Sequence, residues 1–242
     1  MKLFNAIMAA PFLLVVFSQL TSAQTFTVEH YGELRQTIQR GNITASADLD
    51  SIQSTENLYA LGAFEGLKGE ILIINGRSFS TRAADDKVQF VDVNDQKATL
   101  LITASVEEWG SFKLGEPVSD EEGLEEQILI FAELQEISTD QPIPFLIEAK
   151  ANALDWHVID WPEGDNEHTH EKHKTSGPHG TLENQNVVIL GFWSDSHHGI
   201  FTHHATNMHM HFVTGDETLA GHLDSFSGLR NVTLKLPGIP GK

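Results

Sequence analysis

The stretch that most constrains this chain is Asn207-Met-His209-Met-His211-Phe-Val213, whose side chains sort strictly by parity. In an extended strand successive side chains leave opposite faces, so Met208, Met210 and Phe212 share one face and His209 and His211 the other. One face is therefore committed to a core, while the other carries two imidazoles about 7 Å apart between Cα atoms. Gly221-His222 lies eleven residues after His211, beyond Thr214-Gly-Asp-Glu217. That length suits a turn and a return strand that brings a third imidazole alongside. Three His and an open position form the catalytic type of zinc site. The spacing alone leaves the alternative open. Thirteen His, including the adjacent pairs His197-His198 and His203-His204, will sometimes fall two apart by chance.

The remaining composition narrows the partners. Residues 1–23 have the layout of a secretory signal peptide: Lys2, a mostly apolar run from Leu3 to Leu20, then Thr21-Ser-Ala23 ahead of a cleavage point. The uninterrupted apolar core, Ala6 to Phe17, is shorter than the roughly 20 residues a bilayer span needs. The expected product is a secreted or periplasmic chain, residues 24–242, with no membrane association in its mature form. It has no cysteine, so the core must hold without disulfides and a transition-metal site must use His and carboxylates. With 34 acidic residues against 15 Lys and Arg, the formal charge is −19, which argues against nucleic acid and anionic membranes as partners. A small anionic substrate would need a local positive charge, such as a metal.

Strand signals dominate the pass along the chain. Leu34 and Ile38 suggest a short helix within 32–39, and Glu70 to Asn75 is an apolar strand running into an Asn75-Gly76 hairpin turn, with Arg77 to Arg82 as the return. Thr99–Val106, Gln185–Trp193, Asn207–Val213 and Asn231–Leu236 read as further strands. Ser119 and Glu122 have capping-box spacing ahead of one helix near 120–136. Pro144–Ala149 and Ala153–Asp160 read as a hairpin around Asn152. From Pro162 to Leu182 the chain turns polar, with His168, His170, His173 and His179, and reads as a mobile surface loop whose deletion the metal site would tolerate. Asn42-Ile-Thr44 and Asn231-Val-Thr233 match the glycosylation acceptor pattern. The class is α+β, dominated by mixed or antiparallel sheet. The connections are too short for repeated parallel crossovers.

Two separated motifs carry a family resemblance. The His209-Met-His211-Phe-Val strand followed by Gly221-His222 resembles the metal strand and later Gly-His of the acetolactate decarboxylases. Upstream, Leu61-Gly-Ala-Phe64-Glu-Gly-Leu67-Lys-Gly69-Glu70, followed by apolar residues and Asn75-Gly76, resembles that family's Leu-Gly-Thr-Phe…Gly-Glu segment, and Leu190-Gly191-Phe192 its strand before the metal strand. The spacing fits neither a cupin nor a three-His carbonic anhydrase. The resemblance runs from about Leu34 to Leu236. It implies a single domain of two packed subdomains with few helices, an N-terminal sheet part of about 24–160 and a metal-binding part of about 161–242. It further implies a homodimer and conversion of 2-acetolactate to acetoin and carbon dioxide. Carried over, His209, His211 and His222 become ligands of Zn2+ or another divalent metal and Glu70 the catalytic carboxylate. On its own residues, Glu70 reads as a solvated turn carboxylate, the commoner fate of Glu after Lys-Gly. Two departures stand out: Asp160 falls where the family has a catalytic Arg, leaving Arg77, Arg82 or Lys150 to meet a substrate carboxylate. The chain also ends at Lys242, ahead of where the family brings in a C-terminal Glu. Two alternatives follow from these departures: another metal-dependent lyase or isomerase acting on a hydroxy-keto compound, and a non-catalytic secreted metal-binding module.

Overall fold

The computed structural model describes residues 26–238; the expected leader, with its expected cleavage point after Ala23, lies outside them, as do residues 24, 25 and 239–242. In chain order the elements are β1 (Phe26–Tyr31), α1 (Leu34–Arg40), β2 (Ala47–Asp48), α2 (Leu49–Gln53), β3 (Leu58–Phe64), β4 (Glu70–Ile74), β5 (Arg77–Ser78), β6 (Thr81–Ala84), β7 (Lys87–Phe90) and β8 (Lys97–Val106). They continue with β9 (Trp109–Lys113), α3 (Glu121–Leu134), β10 (Ile143–His157), α4 (His170–Thr175), β11 (His179–Trp193), β12 (Met208–Thr214) and β13 (Ala220–Pro237).

The strands form two sheets. The first runs β1-β8-β3-β4-β6-β7, with β2 on β8 and β5 on β4; the second runs β10-β11-β12-β13-β9, and β10 also pairs with β13. That extra pairing closes β10 to β13 into a ring. Every ladder between these strands is antiparallel. The α+β class expected from sequence holds, and the sheet is antiparallel throughout its named ladders.

Side-chain parity explains how the layers stack. In β4, Ile71 and Ile73 pack toward α2 with Leu49 and Ile52, while Leu72 joins the cluster between the two sheets. In β12, Met208, Met210 and Phe212 fill the core inside the ring, and Val213 joins the same inter-sheet cluster as Leu72. Glu70 has the parity of Leu72, and His209 and His211 that of Val213. The acid and the imidazoles are thus set on facing sheets. Helix α3 lays Leu124, Ile128 and Ala132, spaced four apart, onto the ring core.

Several local expectations need correction. The two sheets divide between Val106 and Trp109 rather than near residue 160, because β9 and β10 both pair with β13. The expected hairpin around Asn152 is one continuous strand, β10, paired on both sides. Asn152 fits because Gly228 faces it: φ there is +64°, and a Cβ would stand 2.2 Å from Asn152 Nδ2. The return from Asn75-Gly76 breaks into β5 and β6 at Phe79 and Ser80. The N-cap of α3 is Asp120, which accepts from the Gly123 N–H at 3.0 Å, not Ser119.

The segment read as a mobile loop is built. Trp161 is buried, His168 stacks on it with ring centroids 4.3 Å apart, and His173 meets it edge-on at 4.8 Å. His168 Nδ1 and His173 Nε2 lie 3.0 Å apart, and Thr169 caps α4. Burial pushes the His173 imidazole down to about 4. It is then neutral at neutral pH, with one nitrogen free to accept. No short-range period links 161, 168 and 173, so nothing in the local pattern marks the cluster. Among the described residues, no helix is long and apolar enough to cross a membrane.

Candidate metal centre

The register of β12 against β13 builds the centre. His211 pairs directly with His222, and His209 lies one repeat along β12 on the same face. Ring centroids are 5.1 Å apart for His209–His211, 5.2 Å for His209–His222 and 5.3 Å for His211–His222, nearly an equilateral triangle. One ligand nitrogen from each lies within 4.8 Å of the others, a looser bound than the roughly 3–4 Å that tetrahedral zinc bonds require. The residues fit a divalent ion on a second ground. His209 Nδ1, both nitrogens of His211 and His222 Nδ1 are buried without a hydrogen-bond partner. Buried polar atoms are nearly always paired, so unspent nitrogens on three imidazoles, one of each within 4.8 Å of the others, are donors prepared for a ligand. Burial, reinforced by the neighbouring imidazoles, holds His209 and His211 well below the usual histidine range. They are therefore neutral, the form a metal binds.

Glu70 faces this triangle from the opposite sheet. Gly69 precedes it at φ +116°, where a Cβ would stand 2.2 Å from Thr81 O, so the tight entry into β4 needs glycine. Beside it, Thr81 Oγ1 donates to Ala220 O at 3.2 Å and ties β6 to β13. Glu70 Oε1 accepts from the Ile159 N–H at 3.0 Å; Oε2 lies 3.6 Å from His211 Nε2, and Oε1 lies 3.7 Å from His157 Nε2. Burial pushes the carboxyl up to about 7, against the pull of His222 and the Ile159 N–H. Its residue is 4% exposed, which removes the solvated-turn alternative.

Sequence reasoning missed two groups beside them. His157, at the end of β10, places Nδ1 3.0 Å from each oxygen of Asp224. Asp224 Oδ1 also lies 3.2 Å from His222 Nδ1, without hydrogen-bond alignment, and 3.5 Å from Lys174 Nζ. Burial opposes ionisation of Asp224, but the hydrogen bond from His157 and the proximity of His222 outweigh it and hold the carboxyl well below the usual range. One signal was available: Asp224 follows His222 by two, the same parity that singled out His209 and His211.

Glu70, His157, His209, His222 and Asp224 line a cavity of about 300 Å³, walled also by Leu61, Phe201 and Ile159 and by His170 of α4 and Glu121 of α3. The position where Asp160 falls in place of the family's Arg reads differently in three dimensions. Asp160 points outward, 42% exposed, and pairs with Lys68 at 2.8 Å. Its neighbour Ile159 lines the cavity, so the expected repulsion of a substrate is absent. None of the expected substitutes arrives either. Arg77 pairs with Glu217, Arg82 donates to Gln96 and lies over Phe64, and neither they nor Lys150 line the cavity. Among the described residues no Lys or Arg lines it, and Lys174 Nζ stands behind its wall, 3.5 Å from Asp224 Oδ1.

Residues 30–240 match the family model described as alpha-acetolactate decarboxylase. An alpha-acetolactate decarboxylase of Streptococcus thermophilus is 22% identical over 168 residues, spanning 69% of this chain and 66%, just under two thirds, of that protein. Among solved structures, acetolactate decarboxylase from Bacillus subtilis subspecies spizizenii superposes with a TM-score of 0.71 at 16% identity, covering 87% of this chain and 85% of that one. The alpha-acetolactate decarboxylase of Bacillus subtilis strain 168 gives 0.68 at 16% identity, with coverages of 86% and 85%. At these identities the superpositions establish a shared fold.

Proposed function

The chain belongs to the alpha-acetolactate decarboxylase family, and from that premise we propose that it is a zinc-dependent carboxy-lyase converting 2-acetolactate to acetoin and carbon dioxide. The observation that carries this reading is Glu70: a buried carboxyl, pushed up to about 7, set against three neutral imidazoles across the gap between two sheets. A non-catalytic metal-binding module has no use for such a group.

His209, His211 and His222 would hold the ion, and a nitrogen-only set suits zinc. When bound, a divalent ion supplies Lewis-acid stabilisation of the negative charge that develops as carbon dioxide leaves. The chain's own residues do the rest. The apolar wall of Leu61, Phe201 and Ile159 limits water around the reacting carbon. Breaking the bond from C2 to the carboxylate leaves its electron pair in an enediolate, and C2 must then take a proton. Because the Ile159 N–H donates to Oε1, the proton of Glu70 resides on Oε2, from which it passes to C2. Solvent reprotonates the carboxylate after the product leaves.

One observation favours a second reading. With no Lys or Arg among the described residues that line the cavity, a neutral hydroxy-ketone undergoing lyase or isomerase chemistry would be admitted more easily than an acid. The test is acetoin formation from 2-acetolactate by zinc-loaded and chelator-treated protein, with metal counted per chain. Stoichiometric zinc with no acetoin would overturn the decarboxylase reading in favour of the second. We also propose export, on the leader at residues 1–23, and a homodimer, on the family resemblance. A mature N-terminus at Gln24 and a sedimentation mass of two chains would support these.

A further inference from the structure

We propose that the cavity has an apolar arm running from Glu70 to Leu100 and α1, and that it takes the alkyl group at C2 of the substrate. The chain then prefers hydroxy-keto acids with a straight C2 chain of about four carbons over 2-acetolactate, which carries methyl there. The inference deepens the decarboxylase reading and rests on it for the placement of C2 beside Glu70.

Strand register lays out the floor of the arm. Glu70 in β4 pairs with Ala63 in β3, and Ala63 pairs on its other side with Leu100 in β8. Residues directly opposite on antiparallel strands share a face, so Glu70, Ala63 and Leu100 form one row. That face turns toward the second sheet, since Leu61 and Ile102, one repeat along, join the cluster between the sheets. Two strand spacings make the row about 9.5 Å long. Its middle member is alanine, whose single methyl leaves room above it, and all three residues line the cavity. With about 4 Å kept for contact with Leu100 and about 1.3 Å of advance per carbon–carbon bond, the row accommodates about four carbons beyond C2.

Helix α1 walls the far end. It begins three residues after Tyr31, which pairs with Leu101, so it stands at the Leu100 end of the row. Leu34, Thr37 and Ile38 fall on one helix face and line the same cavity. The N–H groups of Leu34 and Arg35 donate to Ile200 O and Gly199 O, each at 2.8 Å, and fasten α1 to the segment that carries Phe201. The arm is therefore preformed. Leu34, Ile38 and Leu100 are only half-buried, and among the described residues none of the three joins a hydrophobic core cluster. Such side chains gain from being covered by carbon, and the row fixes what covers them: a chain that starts at C2. The hydroxyls at this end are spent, as Thr37 Oγ1 donates to Asn42 O at 3.1 Å and the Tyr31 hydroxyl to Glu29 Oε2 at 2.6 Å. A polar tail finds no partner in them. A cavity of about 300 Å³ also falls in the range that houses drug-sized ligands, beyond what the short skeleton of 2-acetolactate fills.

Two measurements on zinc-loaded protein test the arm. Calorimetry compares binding of acetoin with that of the hydroxy-ketone bearing butyl in place of the methyl on its hydroxyl carbon. Steady-state kinetics compares 2-acetolactate with the acid bearing butyl in place of its C2 methyl. Each added methylene should raise affinity and kcat/KM about fourfold, so butyl should exceed methyl by about 60-fold. Ile38→Trp fills the arm from the helix and Leu100→Trp fills it from the sheet; in each, both ratios should fall toward one. A ratio is internal to one protein, so a lower yield of folded chain leaves it unmoved. Should one variant fail to fold, the other carries the test. A wild-type binding ratio of one or less, or a ratio that survives the substitutions, overturns the arm and leaves decarboxylation of 2-acetolactate standing. So does an equal gain when butyl is placed on the ketone carbon instead. A binding ratio near 60 with neither acid decarboxylated upholds the arm and overturns the decarboxylase reading.

Discussion

The β12–β13 pair and the segment from Trp161 to Gly177 both border the cavity, and they are opposites in how their structure is encoded. In the first, strand parity and an eleven-residue gap place every candidate ligand: His211 meets His222 in register and His209 follows on the same face. In the second, a polar, histidine-rich run that reads as loop is held by Trp161 stacked on His168, with His173 edge-on to both rings. Alternation works by local geometry and survives any context. Imidazole–indole stacking depends on which surface the chain meets, and polar composition does not forbid it. Histidine content alone therefore cannot separate a site from a scaffold: here the imidazoles of the candidate centre have unspent nitrogens, while His168 and His173 spend theirs on each other.

That contrast breaks most easily at its strongest point. His211→Ala, at a fully buried residue, should abolish both stoichiometric zinc and acetoin formation. Elemental analysis of folded protein that still held one zinc per chain would move the ion away from β12. Next in size, Glu70→Gln should keep zinc and fold but lower turnover by about 10²–10⁴-fold, the usual contribution of a positioned acid. Equal rates at matched metal content would remove Glu70 from the mechanism.

On the other side of the comparison, Trp161→Ala should cost about 3–5 kcal/mol in denaturant unfolding, as loss of a buried indole does, with zinc per folded chain unchanged. A stability change near zero would return the segment to the status of a surface excursion. Deletion of residues 168–179, harmless if the segment were a loop, should for the same reason lower stability and open the cavity wall at His170 and His173.

A smaller effect follows from the raised carboxyl of Glu70. Its ordinary value is 4.5 and its folded value about 7, so the folded state holds the extra proton between them. In metal-free protein this contribution to stability is fully present below about 4.5 and is lost as pH rises through about 7, with a slope of at most ~1.4 kcal/mol per pH unit. Glu70→Gln should flatten that slope; a stability profile identical to wild type would mean that the carboxyl titrates normally. Smallest of all, Asp160→Asn removes only an exposed pair with Lys68. It should shift stability by no more than about 0.5 kcal/mol and leave KM for 2-acetolactate unchanged. A changed KM would bring Asp160 back toward the substrate.

The sequence by itself determined the features that depend on period and spacing. These are the antiparallel strands, the helix with Leu124, Ile128 and Ala132 on one face, the Asn75-Gly76 turn, and the face shared by His209 and His211. It also put Glu70 on the parity of Leu72, although only the packing of the second sheet turned that parity into burial and raised the carboxyl. Tertiary structure alone decided the rest. Gly228 made room for Asn152, so a turn signal became mid-strand, and the exit of β10 sent Asp160 to solvent and Ile159 inward. It also joined His157 to Asp224, sixty-seven residues apart, into a pair that no local pattern contains. The physical reason is range. Backbone geometry repeats every two or 3.6 residues and is written locally. Burial and hydrogen-bond polarity belong to whatever surface arrives from elsewhere in the chain.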